Sequence, residues 1–177
     1  MLKKVLIAIP ILLILVIITR VVFVNLHQKK EFEFHENIDK NIKLWSNAFE
    51  ANKTIPIEFT GLGEELSPSL FWDKLPSGTK SLVITAADYD GPSPNFKIMT
   101  IDHWVLFNID PSINSIAKGI TLEELEKQGI NVGLNVNGEV GYVGPNPPMG
   151  THKYYFRIYA LSAPSLDLTK PTRADLM

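Results

Sequence analysis

The chain has 177 residues, none of them cysteine, with 45% hydrophobic and 20% charged residues and 17 Lys and Arg against 19 Asp and Glu. That length suits one domain plus an appendage, and the apolar content is enough for a packed core. The missing thiols exclude disulfide scaffolds, thiolate zinc sites and cysteine nucleophiles, and a formal charge of −2 lacks the basic excess of a nucleic-acid binder.

The first predicted element is a transmembrane anchor over residues 1–26. Val5 to Leu26 is apolar except for Thr19, Arg20 and Asn25, and it follows Lys3 and Lys4. As a helix this run extends about 33 Å against a hydrocarbon thickness of roughly 30 Å, with Arg20 near enough to one end to snorkel. A cleaved signal peptide is the alternative. Against it, Val22-Phe-Val-Asn-Leu26 has no small-x-small cleavage pattern, and the run is long for an h-region. Lys3, Lys4 and the amino terminus are nearly balanced by Arg20, Lys29 and Lys30. The preferred topology is a single pass through the cell membrane with the domain on the extracytoplasmic side. Setting aside Lys3, Lys4 and Arg20, the rest carries 14 positive against 19 negative residues, a net of −5, which disfavours anionic membrane surfaces.

Residues 27–53 mix Lys, Glu and Asn with Phe32, Phe34, Trp45 and Phe49, and read as a juxtamembrane linker. Glu31 to His35 alternates in strand fashion, but a charged linker is the preferred reading.

Residues 54–177 are predicted to form a β-domain. Its apolar runs are Ile55 to Phe59, Ser81 to Ala86, Trp104 to Ile109 and Tyr154 to Leu161, separated by Pro, Gly, Asn and Asp. One helix is predicted, Thr121 to Gln128, because Thr121 and Glu124 have capping-box spacing and Gly129 supplies a stop. Thr172 to Met177 resembles the first turn of another helix, too short to be stable alone, and is expected as a frayed tail or the remnant of a longer element.

Two segments of the β-domain concentrate the chemistry. The first is Asp88-Tyr-Asp90-Gly-Pro92-Ser-Pro94, followed by His103 and Trp104. Its two carboxylates beside a proline turn suit a cation, a partner histidine or an Asx-type turn with no ligand. The second is Gly141-Tyr142-Val-Gly144-Pro145-Asn-Pro147-Pro148-Met-Gly150-Thr-His152-Lys-Tyr154. Proline rings fix the shape of this loop and glycines expose its backbone, so it can aim amides at an anion or serve only as a tight connection. His152 and Tyr154, two apart at a strand start, face the same way.

Together, His103, His152, Tyr154, Asp88 and loop amides would suit a phosphate monoester or carboxylate, with Asp88 holding a histidine in its donor tautomer. Zinc is a weaker reading, since no H-E-x-x-H or short ligand spacing is present. Nucleophilic catalysis by Ser93, between two prolines and outside any G-x-S-x-G elbow, is weaker again.

At these residues the sequence resembles the phosphatidylethanolamine-binding protein family, also called Raf kinase inhibitor-like proteins, particularly its bacterial branch. The D-P-D-x-P signature is similar to Asp88-Tyr-Asp90-Gly-Pro92, with Tyr89 in place of the usual proline. The G-Y-x-G-P-x-P-P-x-G-x-H-x-Y-x-F signature is similar to Gly141 through Phe156, and Ser67-Pro68 and Leu70-Phe-Trp72 extend the match upstream. The resemblance implies a large antiparallel sheet packed against a smaller one, few helices, and an anion pocket at one edge. It implies that Asp88, His103, Gly144, His152 and Tyr154 bind the ligand, with Asp90, Pro92, Trp104, Tyr142, Pro147 and Pro148 shaping the site. It also implies a C-terminal helix that this sequence does not continue into.

The function expected is non-catalytic binding of phosphate or phosphoryl head groups, with no cofactor, no metal and no nucleic acid, beside a membrane crossed by residues 5–26. The alternatives are a regulator that docks on a kinase or protease partner through its surface, and a phosphoesterase or other hydrolase.

Overall fold

Residues Leu2–Asn37 form one helix, α1, in the computed structural model of the chain. The structure describes residues 2–177, with side chains from Ile9 onward. The Lys3 and Lys4 flank of the expected anchor lies outside the described side chains. Among the described residues, α1 from Ile9 is long and apolar enough to cross a membrane, a test that a signal sequence also passes. From Ile9 to Ile18 its large apolar side chains are exposed.

The helix corrects the expectation of a linker beginning at residue 27. Val24, Gln28, Glu31 and His35 are all buried, at the four-three-four spacing of one helix face. Phe34, on the other side, is 47% exposed. The strand-like alternation of Glu31 to His35 spans five residues, whereas the helical stripe runs over three turns. The longer period wins, helped by Gln, Lys and Glu as good helix formers and by a Lys29–Glu33 pair at 3.7 Å.

The chain divides into two compact units. The first is Met1–Ile38, Tyr89–Thr100 and Pro147–Lys153, and the second is Asp39–Asp88, Ile101–Asn146 and Tyr154–Met177. In the first unit α1 is held to the segment Tyr89–Thr100. Arg20 Nε donates to the Ile98 carbonyl at 2.9 Å, and Gln28 Nε2 donates to the Tyr89 carbonyl at 3.0 Å and to Thr100 Oγ1 at 3.2 Å. The Tyr89 hydroxyl donates to the Glu31 carboxylate, and the Phe32 and Tyr89 rings meet with centroids 4.9 Å apart.

The second unit holds the β-domain. Strands β1 (Lys43–Trp45), β2 (Leu70–Asp73) and β5 (Ser115–Ile116) form a small sheet in the order β1-β2-β5. Strands β3 (Ser81–Ser93), β4 (Phe96–Ile109), β6 (Asn131–Val132) and β7 (Tyr154–Leu161) form the larger one in the order β6-β4-β3-β7. The recorded pairings β1 with β2, β2 with β5, β3 with β7 and β4 with β6 are antiparallel. Leu82, Ile84 and Ala86 of β3 pair with Ala160, Ile158 and Phe156 of β7. Strand period puts each set on one face, and all six join the core with Trp72, Trp104, Leu106 and Ile116.

β7 has the bounds expected of it, while β3 and β4 run beyond theirs as two long strands joined at Pro94-Asn95. Asp88 and Asp90 therefore lie in a strand and not in an Asx-type turn. Ile55 to Phe59 is not a strand. Pro56 lacks an amide for a ladder, and the Thr60 amide closes a 3-10 turn onto the Ile57 carbonyl at 3.0 Å. The predicted helix is present as α2 (Leu122–Lys127), with the Thr121–Glu124 capping box formed and Gly129 at φ +73°. The C-terminal turn Arg173–Leu176 is held in place. Thr172 and Asp175 cap it reciprocally, and buried Arg173 donates to Asp102 at 2.6 Å.

Candidate functional site

In the second unit, the core face of the large sheet ends in polar residues. Asp88 follows Leu82, Ile84 and Ala86 at even spacing along β3, and its pairing partner on β7 is Tyr154. The same alternation that fills the core therefore places a carboxylate and a phenol side by side at its end. Asp88 is 1% exposed. His103 of β4 joins them, its ring meeting that of Tyr154 edge-on with centroids 5.3 Å apart.

The orientation of His103 is set by the loop. Its Nδ1 lies 2.8 Å from the Val143 carbonyl, which only accepts, so Nδ1 carries the hydrogen. In the neutral ring Nε2 is then an acceptor, and it donates only when the imidazole is cationic. The Val143 amide returns to the His103 carbonyl at 2.9 Å, tying loop and strand together.

Gly144 occupies a different place from the one anticipated for a free loop amide. Its N–H donates to Glu65 Oε1 at 2.8 Å. Its α-carbon lies so close to the Thr60–Gly61 backbone that an added Cβ would stand 2.6 Å from the Thr60 carbonyl carbon. Glycine is required there by close approach of two chain segments. Trp104 and Tyr142 form an edge-on pair with centroids 5.6 Å apart, and the Tyr142 hydroxyl donates to the Phe59 carbonyl at 2.8 Å. Burial pushes the Tyr142 phenol well above its ordinary range, with the charges of Glu65 and Tyr154 adding to the effect.

In the first unit, a second group forms around Asp90. Its carboxylate accepts from Lys97 Nζ at 2.7 Å and from the Lys153 amide at 3.0 Å. Burial alone raises the Asp90 carboxyl. The hydrogen bonds from Lys97 and Lys153, with the charges of Lys97 and His152, outweigh burial and leave it below the ordinary carboxylate range. His152 is buried and directs Nε2 to the Met149 carbonyl at 3.0 Å. Pro147 and Pro148 are exposed in the same loop, and Pro92 is half-buried on β3.

The structure thus brings Asp88, His103, Tyr154, Trp104, Tyr142 and Gly144 into one unit, and Asp90, Pro92, Pro147, Pro148 and His152 into the other. Glu65 and Lys97 are partners that the sequence reading did not single out. Glu65 lies 79 residues from Gly144 and no local signal marks it. Lys97 was within reach of sequence reasoning, because a hairpin turn at Pro94-Asn95 puts it near Asp90. Among the described residues, no group of three or more His, Asp or Glu is arranged to hold a metal ion. An open groove of about 580 Å³ runs along Leu12, Val16, Arg20 and Phe23 on α1.

The family model described as phosphatidylethanolamine-binding protein matches residues 45–177. A UPF0098 protein of Methanothermobacter thermautotrophicus is 40% identical over 120 residues, covering 68% of this chain and 76% of that protein. One from Aquifex aeolicus is 36% identical, covering 72% of each. Among solved structures, a phosphatidylethanolamine-binding protein homologue from Chlamydia trachomatis, CT736, superposes with a TM-score of 0.68 at 32% identity, covering 78% of this chain and 86% of that one. YbcL of E. coli, described as a new member of the mammalian family, gives 0.65 at 26% identity, covering 75% and 84%.

Proposed function

The chain belongs to the phosphatidylethanolamine-binding protein family, and from that premise we propose that it is a membrane-tethered, non-catalytic module that binds small anions such as phosphate or phosphoryl head groups. The observation that carries the reading is the meeting of Asp88, His103 and Tyr154 at the polar end of an otherwise apolar sheet face. A cationic His103 keeps its Nδ1 hydrogen on the Val143 carbonyl and carries a second hydrogen on Nε2, and the Tyr154 hydroxyl brings another donor group to the same end of the sheet. Asp88 favours the charged imidazole and disfavours a second anion too close to it.

Tethering rests on α1. Ten consecutive residues from Ile9 to Ile18 carry no charge, and their large side chains are exposed in the structure. Lipid is the surrounding that would cover such a surface. With the amino terminus inside, the β-domain lies on the extracytoplasmic face.

Calorimetric titration of the full chain in detergent with phosphate, phosphoethanolamine and acetate tests the binding. Dissociation constants of about 0.1 to 10 mM are expected, since one phosphate offers few atoms. Tyr154→Phe is expected to weaken them several-fold. Absence of heat at about 50 mM would remove the site and leave the regulatory surface as the reading to pursue. The tether is tested by washing membranes with high salt and carbonate, which a spanning helix survives and an electrostatic contact does not.

A further inference from the structure

We propose that the tip of the β3–β4 hairpin and the flanking Pro147–Gly150 loop form a second membrane contact, in which Phe96 and Met149 enter the headgroup layer of the bilayer that α1 crosses. The inference rests on the reading of α1 as a membrane span. It adds that the first unit lies against the bilayer instead of hanging from it on a tether.

The depth of the hairpin follows from where it meets the helix. Arg20 Nε donates to the Ile98 carbonyl, so Ile98, a few residues from the hairpin tip, is level with the end of the Arg20 side chain. An α-helix rises about 1.5 Å per residue, so the sixteen residues from Val5 to Arg20 extend about 24 Å of the roughly 30 Å hydrocarbon thickness. Arg20 is then about one turn short of the boundary between acyl chains and headgroups, and its long side chain brings the guanidinium to that boundary.

Beyond Arg20 the helix remains apolar for another turn and a half, but on one side only. Val22, Phe23 and Leu26 are 51%, 60% and 57% exposed, whereas Val24 is 5% exposed between the Arg20 and Gln28 attachments to the hairpin segment. At this level one side of α1 presents apolar surface outward and the other carries the hairpin. A bilayer that covers Val22, Phe23 and Leu26 reaches the hairpin tip as well.

The tip has the chemistry for that layer. Phe96 is 44% exposed, and Met149, in a loop whose Gly150 packs against Pro94, is 55% exposed. The one cation of the tip, Lys97, is neutralised by Asp90 at 2.7 Å. The net charge of −5 beyond the anchor opposes broad adhesion to anionic lipid, so the contact is confined to this small apolar edge.

The absence of cysteine makes the test direct. Single variants Leu15→Cys, Phe96→Cys, Met149→Cys and, from the far end of α1, Glu33→Cys are spin-labelled in the full chain and placed in phosphatidylcholine vesicles. Accessibility to oxygen and to a water-soluble nickel complex then gives the depth of each label. The expected result is a deep label at residue 15, interfacial labels at 96 and 149, and a water-exposed label at 33. A deep label at 15 with fully aqueous labels at 96 and 149 would overturn the inference while leaving the span intact. An aqueous label at 15 would instead overturn the span, and the hairpin contact with it. The double variant Phe96→Ser, Met149→Ser, carrying a label at residue 95 introduced by Asn95→Cys, is expected to shift that label toward water. If the label does not move, the two side chains are not what holds the tip in place.

Discussion

The hydroxyl of Tyr89 donates to the carboxylate of Glu31, 58 residues earlier in the chain, and fastens the second half of α1 to the strand that carries the first family signature. Tyr89 is 2% exposed and Glu31 7%. A buried hydrogen bond to a charged acceptor is worth about 1.5–3 kcal/mol, and its loss leaves the carboxylate short of a donor. Tyr89→Phe is therefore expected to speed hydrogen exchange at the amides of residues 28–35 by roughly ten- to a hundredfold. Unchanged exchange there would mean that packing of Phe32 on ring 89 holds the helix without the hydroxyl.

Acid should loosen the Asp90 cluster. The carboxyl titrates below its ordinary value because the hydrogen bonds and charges from Lys97, Lys153 and His152 overcome burial. A depressed folded-state value contributes stability that is fully present above the unfolded value of about 3.9 and is lost as pH falls through the folded one. Unfolding monitored between pH 7 and pH 2 should show this group's contribution retained in full down to about pH 5 and progressively lost below pH 4. Asp90→Asn should remove that part of the acid dependence. Equal acid sensitivity in the variant would assign the loss to other carboxylates.

Gly144→Ala separates a structural glycine from a ligand-binding one. An alanine Cβ would meet the Thr60 carbonyl carbon at 2.6 Å and the Gly61 nitrogen at 2.7 Å, both backbone atoms that cannot swing aside. A stability loss of about 1–3 kcal/mol is expected, read as a lowered midpoint in denaturant. Wild-type stability with impaired phosphate binding would instead put the residue's importance in the ligand.

The C-terminal turn is expected to matter for stability. Arg173 is 3% exposed, and its partner Asp102 is largely buried. Arg173→Ala would leave the Asp102 carboxylate without this charge partner, at a cost of about 3–5 kcal/mol for a buried pair. A change below about 0.5 kcal/mol would show that water replaces the guanidinium there.

Much of the β-domain is legible from residue spacing. The Thr121–Glu124 box and the bounds of β7 each depend on neighbours in sequence, and both appear where expected. The second half of α1 is not legible in the same way, because the side chains it buries after Val24 are Gln28, Glu31 and His35. Hydrophobic periodicity cannot register a polar stripe whose partners, Tyr89 and Thr100, are supplied from about sixty residues away. The same holds within the candidate site. Asp88, His103 and Tyr154 are marked by type and signature, but Glu65 on the Gly144 amide is fixed only by the folded chain.

The most direct test of anion binding is at the His103 ring itself. With histidine-selective nitrogen-15 labelling, the full chain in detergent is titrated with inorganic phosphate near pH 6.5 and the two ring nitrogens of residue 103 are followed, with His103→Gln fixing the assignment. The expected result is that Nε2 moves toward its protonated shift and saturates in the range of about 0.1–10 mM, while Nδ1, held by the Val143 carbonyl, keeps its hydrogen. Ring signals of His103 that stay fixed up to about 50 mM phosphate would contradict anion binding at Asp88, His103 and Tyr154.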